Sequence, residues 1–413
     1  MSKRMNFGQK FEIFAWFSFD MGNSAHALLV STVGFSLYFK SYLYQGRPEG
    51  NSIWAALTAL ILFFSAILSP LLTSLLYRSN KRSIGLIITT LATVVFTGLL
   101  SSSQSADIFF SIVVYFMSAL GYYLALPIYN SYLPNISKSG LQKTSGTGWA
   151  LGYLGGILSV LICYYLGYLN YSVEDRPDIY RMIFLVASLF NFAFSLPILL
   201  ISPKYDVEGM RNTAKWNLSS LLRIFQKYKF YSIPKLLIIY WLIGEVAVIV
   251  TYFFAIFLKE YTSLETKQIL LFSILGQFLA IITTWTAGIL SEKFGGKRIL
   301  IGVVIIWCFV PFTLFSLSFG ITYWLPIFFS SLVIGSYHAI IRGRVARISN
   351  DFETNEEKGT LFGFLEVSAR FSQVIGPLLI SFFTLLFPLN QAILVTMIFP
   401  FVAFVLLRKY DWN

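Results

Sequence analysis

In this chain of 413 residues 56% are apolar, only 12% are charged and the mean hydropathy is +0.71. Soluble domains carry about 25% charged residues, so this chain cannot hide its apolar surface in a water-soluble core, and lipid is the solvent for most of it. The net charge of +12 does not mark nucleic-acid binding, because Lys and Arg sit in short loops between apolar runs and form no basic domain. Cys163 and Cys308 lie inside apolar runs, where a thiol behaves as a small hydrophobe, and the two histidines give no metal-ligand set. No disulfide, metal or cofactor is expected.

A helix needs about 20 mostly apolar residues to cross the hydrocarbon layer. The basic start, Met1 to Lys10, leads into a run interrupted by Asp20, Asn23 and His26, with no A-x-A-like cleavage site after it, so a retained first helix is expected rather than a signal peptide. Spans are predicted over 12–39, 51–77, 84–103, 108–131, 147–170 and 179–201. A second set is predicted over 234–258, 267–290, 299–319, 322–341, 359–386 and 389–407. The fold class is an all-α polytopic membrane protein with a six-helix bundle over 1–202, a basic linker over 203–233 and a second six-helix bundle over 234–413. Within the linker, Leu218 to Phe230 reads either as an amphipathic segment on the cytoplasmic membrane surface or as a solvated tether. With the N-terminus inside, the cytoplasmic segments collect 24 basic residues and the outside loops six, which places both termini in the cytoplasm.

The halves carry an internal repeat. Asp20 corresponds to Glu245, the loop Tyr77 to Arg82 to the loop Ser291 to Arg298, and Gly155-Gly156 to Gly376-Pro377, at offsets of about 225, 216 and 221 residues. Repeats of this kind relate two bundles by a pseudo-two-fold axis.

Polar residues inside the spans come next, since a charge near the bilayer centre costs about 2.5–3.5 kcal/mol and usually marks a path or a lock. In the first span Trp16, Asp20, Asn23, Ser24, Ala27, Ser31 and Gly34 fall on one side at about 100° per residue. Asp20 is a candidate proton site; the alternative is a carboxylate satisfied by neighbouring donors. His26 points about 120° away on the same arithmetic and reads as ordinary packing. Tyr123 and Asn130 in the fourth span line a cavity or bond between helices. Gly148, Gly152, Gly155 and Gly156 in the fifth let a neighbouring backbone approach closely. The seventh span presents Trp241, Glu245 and Tyr252 on one face, giving a second candidate carboxylate. In the eleventh, Glu366, Arg370, Gln373 and Pro377 share a face, and the i, i+4 spacing lets Glu366 and Arg370 pair. Such a pair can open when a substrate carboxylate competes for the guanidinium, or it can be a permanent structural bond. Arg78, Lys81, Arg82, Lys297 and Arg298, in the repeated basic loops, are expected to latch the cytoplasmic side.

No phosphate-cradling G-x-x-x-x-G-K-[ST] loop is present, which argues against an ATP-driven pump. No loop is long enough for a catalytic domain, and no protease constellation stands out, so an enzyme is not expected. A channel would leave the six-plus-six repeat unexplained.

Several blocks resemble a known family. Phe14 to Ala25 is similar to the first-helix signature of the vacuole effluxer family of the major facilitator superfamily, close to Y-D-W-A-N-S-A. Tyr129-Asn130-Ser131-Tyr132-Leu133-Pro134, followed by Ser145 to Gly156, resembles its Y-N-x-[FY]-L-P and S-G-x-G-W-A-L-G-Y-x-G-G blocks, and Trp149 in the second block joins the candidate substrate-binding residues. Phe362 to Ser368 and Gly376-Pro377-Leu378 resemble the family's eleventh-helix blocks, and Arg342 and Arg344 stand where it has S-R-S after the tenth helix. Departures fall at Phe19-Asp20-Met21, where the family has Y-D-W, and at Trp241 to Glu245, where it tends to Y-N-D-G.

The resemblance implies the twelve-helix major facilitator fold, alternating access and export of small metabolites, with amino acids the leading class and H+ a candidate coupling ion. The expected partners are a small-molecule substrate and the lipid bilayer, with the chain a monomer. Its length and short loops fit a bacterial inner (plasma) membrane. A transporter of lipids or drug-like amphiphiles and a non-transporting scaffold or receptor are the alternatives.

Overall fold

The structure is a computed structural model that describes residues 7–32, 34–45, 47–137, 140–168, 176–206, 233–262, 264, 266–320, 322–352, 354–384 and 386–412. Among these residues there is no strand. The predicted amphipathic piece of the linker, Leu218 to Phe230, lies outside the described residues.

In chain order the helices are α1 (Phe7–Ala25), α2 (Gly34–Leu37), α3 (Pro48–Arg78), α4 (Arg82–Leu99), α5 (Ile108–Asn130), α6 (Leu133–Ile136), α7 (Leu141–Tyr165) and α8 (Pro177–Ile201). They continue as α9 (Ile233–Tyr261), α10 (Thr266–Phe294), α11 (Gly296–Phe315), α12 (Trp324–Val333), α13 (Ser336–Ser349), α14 (Asn355–Thr384), α15 (Leu389–Val395) and α16 (Ile398–Arg408). Eleven helical segments among the described residues are long and apolar enough to cross a membrane, from Ala56–Arg78 to Leu389–Arg408. Large apolar side chains such as Ile88, Phe109, Leu189 and Phe401 lie exposed on these helices. In water that arrangement would be unstable; against lipid tails it costs nothing.

One predicted winding and one predicted boundary are corrected. The first span does not wind uniformly: the chain passes from α1 into a π-helical stretch at His26–Thr32, and into a second at Tyr38–Leu43 after α2. A π turn holds more residues than an α turn, so a stripe counted at 100° per residue does not carry past Ala25 to Ala27, Ser31 and Gly34. The tenth span, predicted to end at 341, runs on as α13 to Ser349, so Arg342 and Arg344 are helical and buried rather than in a loop. Hydropathy drops at the arginines, but partners described below make their burial tolerable.

The chain divides into two compact units. The first comprises Met1–Lys138, Leu151–Thr213 and Glu353–Gly363, and the second Ser139–Ala150, Ala214–Phe352 and Phe364–Asn413. The core of the first gathers Leu29, Val30, Phe35, Tyr38, Phe39 and Phe184, with the rings of Phe35 and Tyr115 stacked at 4.5 Å. Trp16 on α1 and Tyr129 on α5 are tied twice: the indole N–H donates to Tyr129 O (3.3 Å) and the phenol to Trp16 O (2.9 Å). α7 lies against α1 where glycine removes the side chain, since a Cβ on Gly155 would stand 2.4 Å from Met21 O. This is the close approach the glycine spacing predicts.

The second unit holds the first turns of α7 in a slot of small residues. A Cβ on Gly343 would stand 2.7 Å from Gln142 Cα, and one on Gly288 2.8 Å from Gln142 O. Glu292 caps the helix by accepting from the Gln142 amide (2.7 Å), and its other oxygen accepts from Arg347 at 3.3 Å. In the loops before α4 and α11, Asn80 and Gly295 both have positive φ, at 52° and 93°.

Candidate substrate and coupling site

The second unit gathers most of the predicted intramembrane charges. α14 carries Glu366, Arg370 and Gln373 on one face, as 3.6 residues per turn requires. Arg370 Nη2 donates to Glu366 Oε2 at 2.6 Å, and Nη1 donates to Gln373 Oε1 at 3.1 Å. Glu366 and Arg370 are 6% and 5% exposed, so their charges face each other in a low-dielectric interior and not in water. A buried pair of this kind is costly to break by deleting one partner but contributes little net stability compared with apolar packing.

Two further helices complete the cluster. Tyr240 on α9 is within electrostatic reach of Glu366, Arg370 and Arg342. On α13, His338 and Arg342 stand one turn apart; the Nδ1 of His338 and the Tyr240 hydroxyl are 2.6 Å apart. Trp149, near the start of α7, stacks on the His338 ring at 4.4 Å and 11° and has the Arg342 guanidinium 5.5 Å from its centroid. Arg342 Nε donates to Ser145 Oγ and Nη2 to Ser145 O, both at 2.8 Å. A planar fork satisfied by hydroxyl, carbonyl and aromatic face is how a guanidinium survives 4% exposed.

Tyr240, His338 and Arg342 were not among the predicted site residues. Their signal was available in part: His338 and Arg342 have the same i, i+4 spacing as Glu366 and Arg370, but Arg342 fell outside the span as predicted and so seemed to belong to a loop.

Glu245, on α9, lies beyond this cluster along α14. Its side chain is 0% exposed, and neither carboxylate oxygen makes a hydrogen bond of ordinary geometry. The indole of Trp241 acts on it from one turn earlier. Space for the carboxyl comes from Gly376, where a Cβ would stand 2.8 Å from Oε2.

The remaining substrate-site candidates, Asp20, Asn23 and Asn130, lie in the first unit. Asp20 is half-buried, with Ser24 Oγ donating to its backbone oxygen at 2.9 Å and Gly152 of α7 alongside. Asn23 and Asn130 are both 5% exposed, the latter following Tyr129 at the end of α5. His26 is fully buried; its Nε2 meets Ser118 Oγ at 2.8 Å and its ring stacks on Tyr122 at 4.8 Å. Of the basic loop residues, Arg82 is fastened within its own unit: Nη1 donates to Tyr77 Oη (3.0 Å) and Asn135 Oδ1 (3.1 Å), and Nη2 to Tyr205 O (3.0 Å). Lys297 donates to the carbonyls of Arg408 (3.1 Å) and Tyr410 (2.6 Å) in the second unit. Arg78 is half-buried, and Lys81 and Arg298 are exposed.

The spans and the buried Glu366–Arg370 pair describe a polytopic helical membrane protein, and known proteins share its fold. The Major Facilitator Superfamily model matches residues 250–412. The uncharacterized MFS-type transporter YxiO of Bacillus subtilis (strain 168) is 22% identical over 382 residues, covering 89% of this chain and 87% of its own. Among solved structures, the human organic anion transporter MFSD10 is similar at TM-score 0.73 and 12% identity, over 97% of this chain and 99% of that one. The proton:xylose symporter XylE is similar at TM-score 0.71 and 13% identity, over 97% and 94%. The E. coli fucose:proton symporter FucP is similar at TM-score 0.71 and 12% identity, over 98% of each. The chain therefore has the major facilitator fold. The family match and the relative support a membrane transporter of that superfamily; these relatives are transporters and not enzymes.

Proposed function

We propose that the chain is a secondary transporter working by alternating access of two six-helix bundles, moving a small polar or zwitterionic solute with amino acids the leading class. Export, coupling to H+ through Asp20 or Glu245, a monomeric state and a plasma-membrane location with both termini cytoplasmic belong to the same reading. The carrying observation is the buried Arg370 fork held by Glu366 and Gln373 on α14. A guanidinium satisfied by a carboxylate on its own helix is ready to exchange that carboxylate for a substrate's. The likeness of Ser145 to Gly156 to the vacuole effluxer blocks supports the amino-acid class. Counterflow of a labelled amino-acid panel in proteoliposomes, wild type beside Asp20→Asn, tests it. Accumulation names a cargo, persistence in the mutant leaves Asp20 outside the cycle, and failure across the panel sinks the amino-acid reading.

A second reading, transport of an amphiphile, has one observation in its favour. An apolar groove of about 440 Å³ in the second unit is lined by Leu275, Leu279, Trp324, Leu325, Ile327 and Phe328. Its lining is apolar apart from the Trp324 indole, and the polar cluster is the better-equipped site.

A further inference from the structure

We propose that His338 recognises the substrate, presenting its Nε2–H to the carboxylate of a small solute held at Arg370, with Tyr240 as the positioning residue that sets the imidazole tautomer. This rests on the reading of the second unit's polar cluster as the substrate site.

His338 lies deep in the unit yet keeps accessible surface, whereas Tyr240 is closed off at 7% exposed. Its ring is fixed on both sides, stacked on Trp149 at 4.4 Å and packed against Tyr337 with centroids 3.9 Å apart. One ring nitrogen is occupied, Nδ1 lying 2.6 Å from the Tyr240 hydroxyl. Among the described residues nothing bonds to Nε2.

The tautomer follows from the surroundings of Tyr240. Glu366, Arg370 and Arg342 all act on the phenol from a distance, but among the described residues the one hydrogen bond of its hydroxyl is to Nδ1. A buried hydroxyl hydrogen left without an acceptor costs more than an unused lone pair, so the hydroxyl hydrogen goes to Nδ1. A neutral imidazole that accepts at Nδ1 carries its proton on Nε2. The exposed nitrogen is then a donor. Gln373 contributes in the same sense: its carbonyl oxygen accepts from Arg370, which leaves the amide NH2 as the group it can offer. Arg370, Gln373 and His338 thus offer donors beside the Glu366 carboxylate, and the acceptor that competes with it for them has several lone pairs, as a solute carboxylate has. Trp149 beneath the ring keeps the imidazole plane fixed, so the donor direction is preset and little ordering remains for the solute to impose.

The chain's two histidines make the test clean. The full chain, labelled with ¹⁵N-histidine and placed in nanodiscs, gives two sets of ring resonances, assigned with His338→Gln. Glycine, L-leucine, L-glutamate, L-lysine and acetate serve as carboxylate probes, and isoamylamine as the probe lacking a carboxylate. The expected result is a protonated Nε2 on His338 that shifts saturably with at least one carboxylate probe and not with isoamylamine. Tyr240→Phe is expected to redistribute the tautomers while the fold persists. For any amino acid that exchanges, His338→Leu is expected to raise KM about tenfold with the maximal rate changed far less, and His338→Gln to recover much of the loss. An unprotonated Nε2, a resonance unmoved by every carboxylate probe, or an unchanged KM in His338→Leu overturns the proposal. A saturable shift without counterflow keeps the binding role and sinks the transport reading instead.

Discussion

A Cβ on Gly376 would stand 2.8 Å from Oε2 of Glu245 and 3.1 Å from Ile249 Cγ1, so the bare backbone at 376 is what lets this carboxyl lie against α14. Gly376→Ala must push the carboxyl aside. Overpacking of a buried site costs about 1–3 kcal/mol, so the variant is expected to fold with a lowered melting temperature and to exchange solute several-fold more slowly. Thermal unfolding and counterflow in one preparation check this. Full exchange in Gly376→Ala would show that the position of Glu245 is immaterial.

The slot for the first turns of α7 makes a steeper prediction. At Gly343 an added Cβ would meet the Gln142 backbone, with Cα at 2.7 Å and N at 3.0 Å, and backbone cannot step aside as a flexible side chain can. Gly343→Ala is expected to break the Gln142–Glu292 cap and to expose the start of α7 to limited proteolysis. Gly302, which has nothing within 4 Å of an added Cβ, is the control. Gly302→Ala is expected to leave proteolysis unchanged and to alter stability by less than about 1 kcal/mol.

How much of this was legible in the sequence depended on what each signal assumed. Hydropathy runs such as 84–103 and 299–319 depend on composition alone, and they reappear as α4 and α11. The Glu366–Arg370 pair was legible because both residues lie one turn apart on one α-helix with fixed periodicity. The stripe on the first span assumed a winding that the π-helical stretch at His26 breaks, and nothing local in His26–Thr32 announces that stretch. Arg342 was hidden for another reason: its burial depends on Ser145 and Trp149, almost two hundred residues away in sequence. Once Arg342 was taken for a loop residue, His338 one turn before it lost its context.

Arg342 itself is testable through Ser145. Lysine keeps the charge but cannot reach the hydroxyl and the carbonyl with a planar fork. Arg342→Lys is expected to cost about 1–3 kcal/mol of stability, and Ser145→Ala about 1 kcal/mol. The double variant should lose less than the sum, since both remove the same bond. Additive losses in thermal unfolding would show that the two side chains act separately.

Beyond the last span, Tyr410 is 1% exposed and its backbone oxygen accepts from Lys297. Burial pushes its phenol above the ordinary range, partly offset by Arg344 nearby. A phenol held neutral in the folded state contributes its stability fully below the unfolded value of about 10, and loses it as pH rises through the higher folded value. Stability is therefore expected to fall above about pH 10, and Tyr410→Phe to fall less steeply there. Parallel pH profiles for the two proteins would contradict this.

The central claim is that the Arg370 guanidinium exchanges the Glu366 carboxylate for that of an amino acid. Its most direct test is counterflow of labelled amino acids and their carboxamides in proteoliposomes, wild type beside Arg370→Gln. At least one amino acid is expected to exchange, its carboxamide to fail, and Arg370→Gln to lose the exchange at least tenfold. Carboxamides exchanging as fast as the acids, or unaltered exchange in Arg370→Gln, would contradict it.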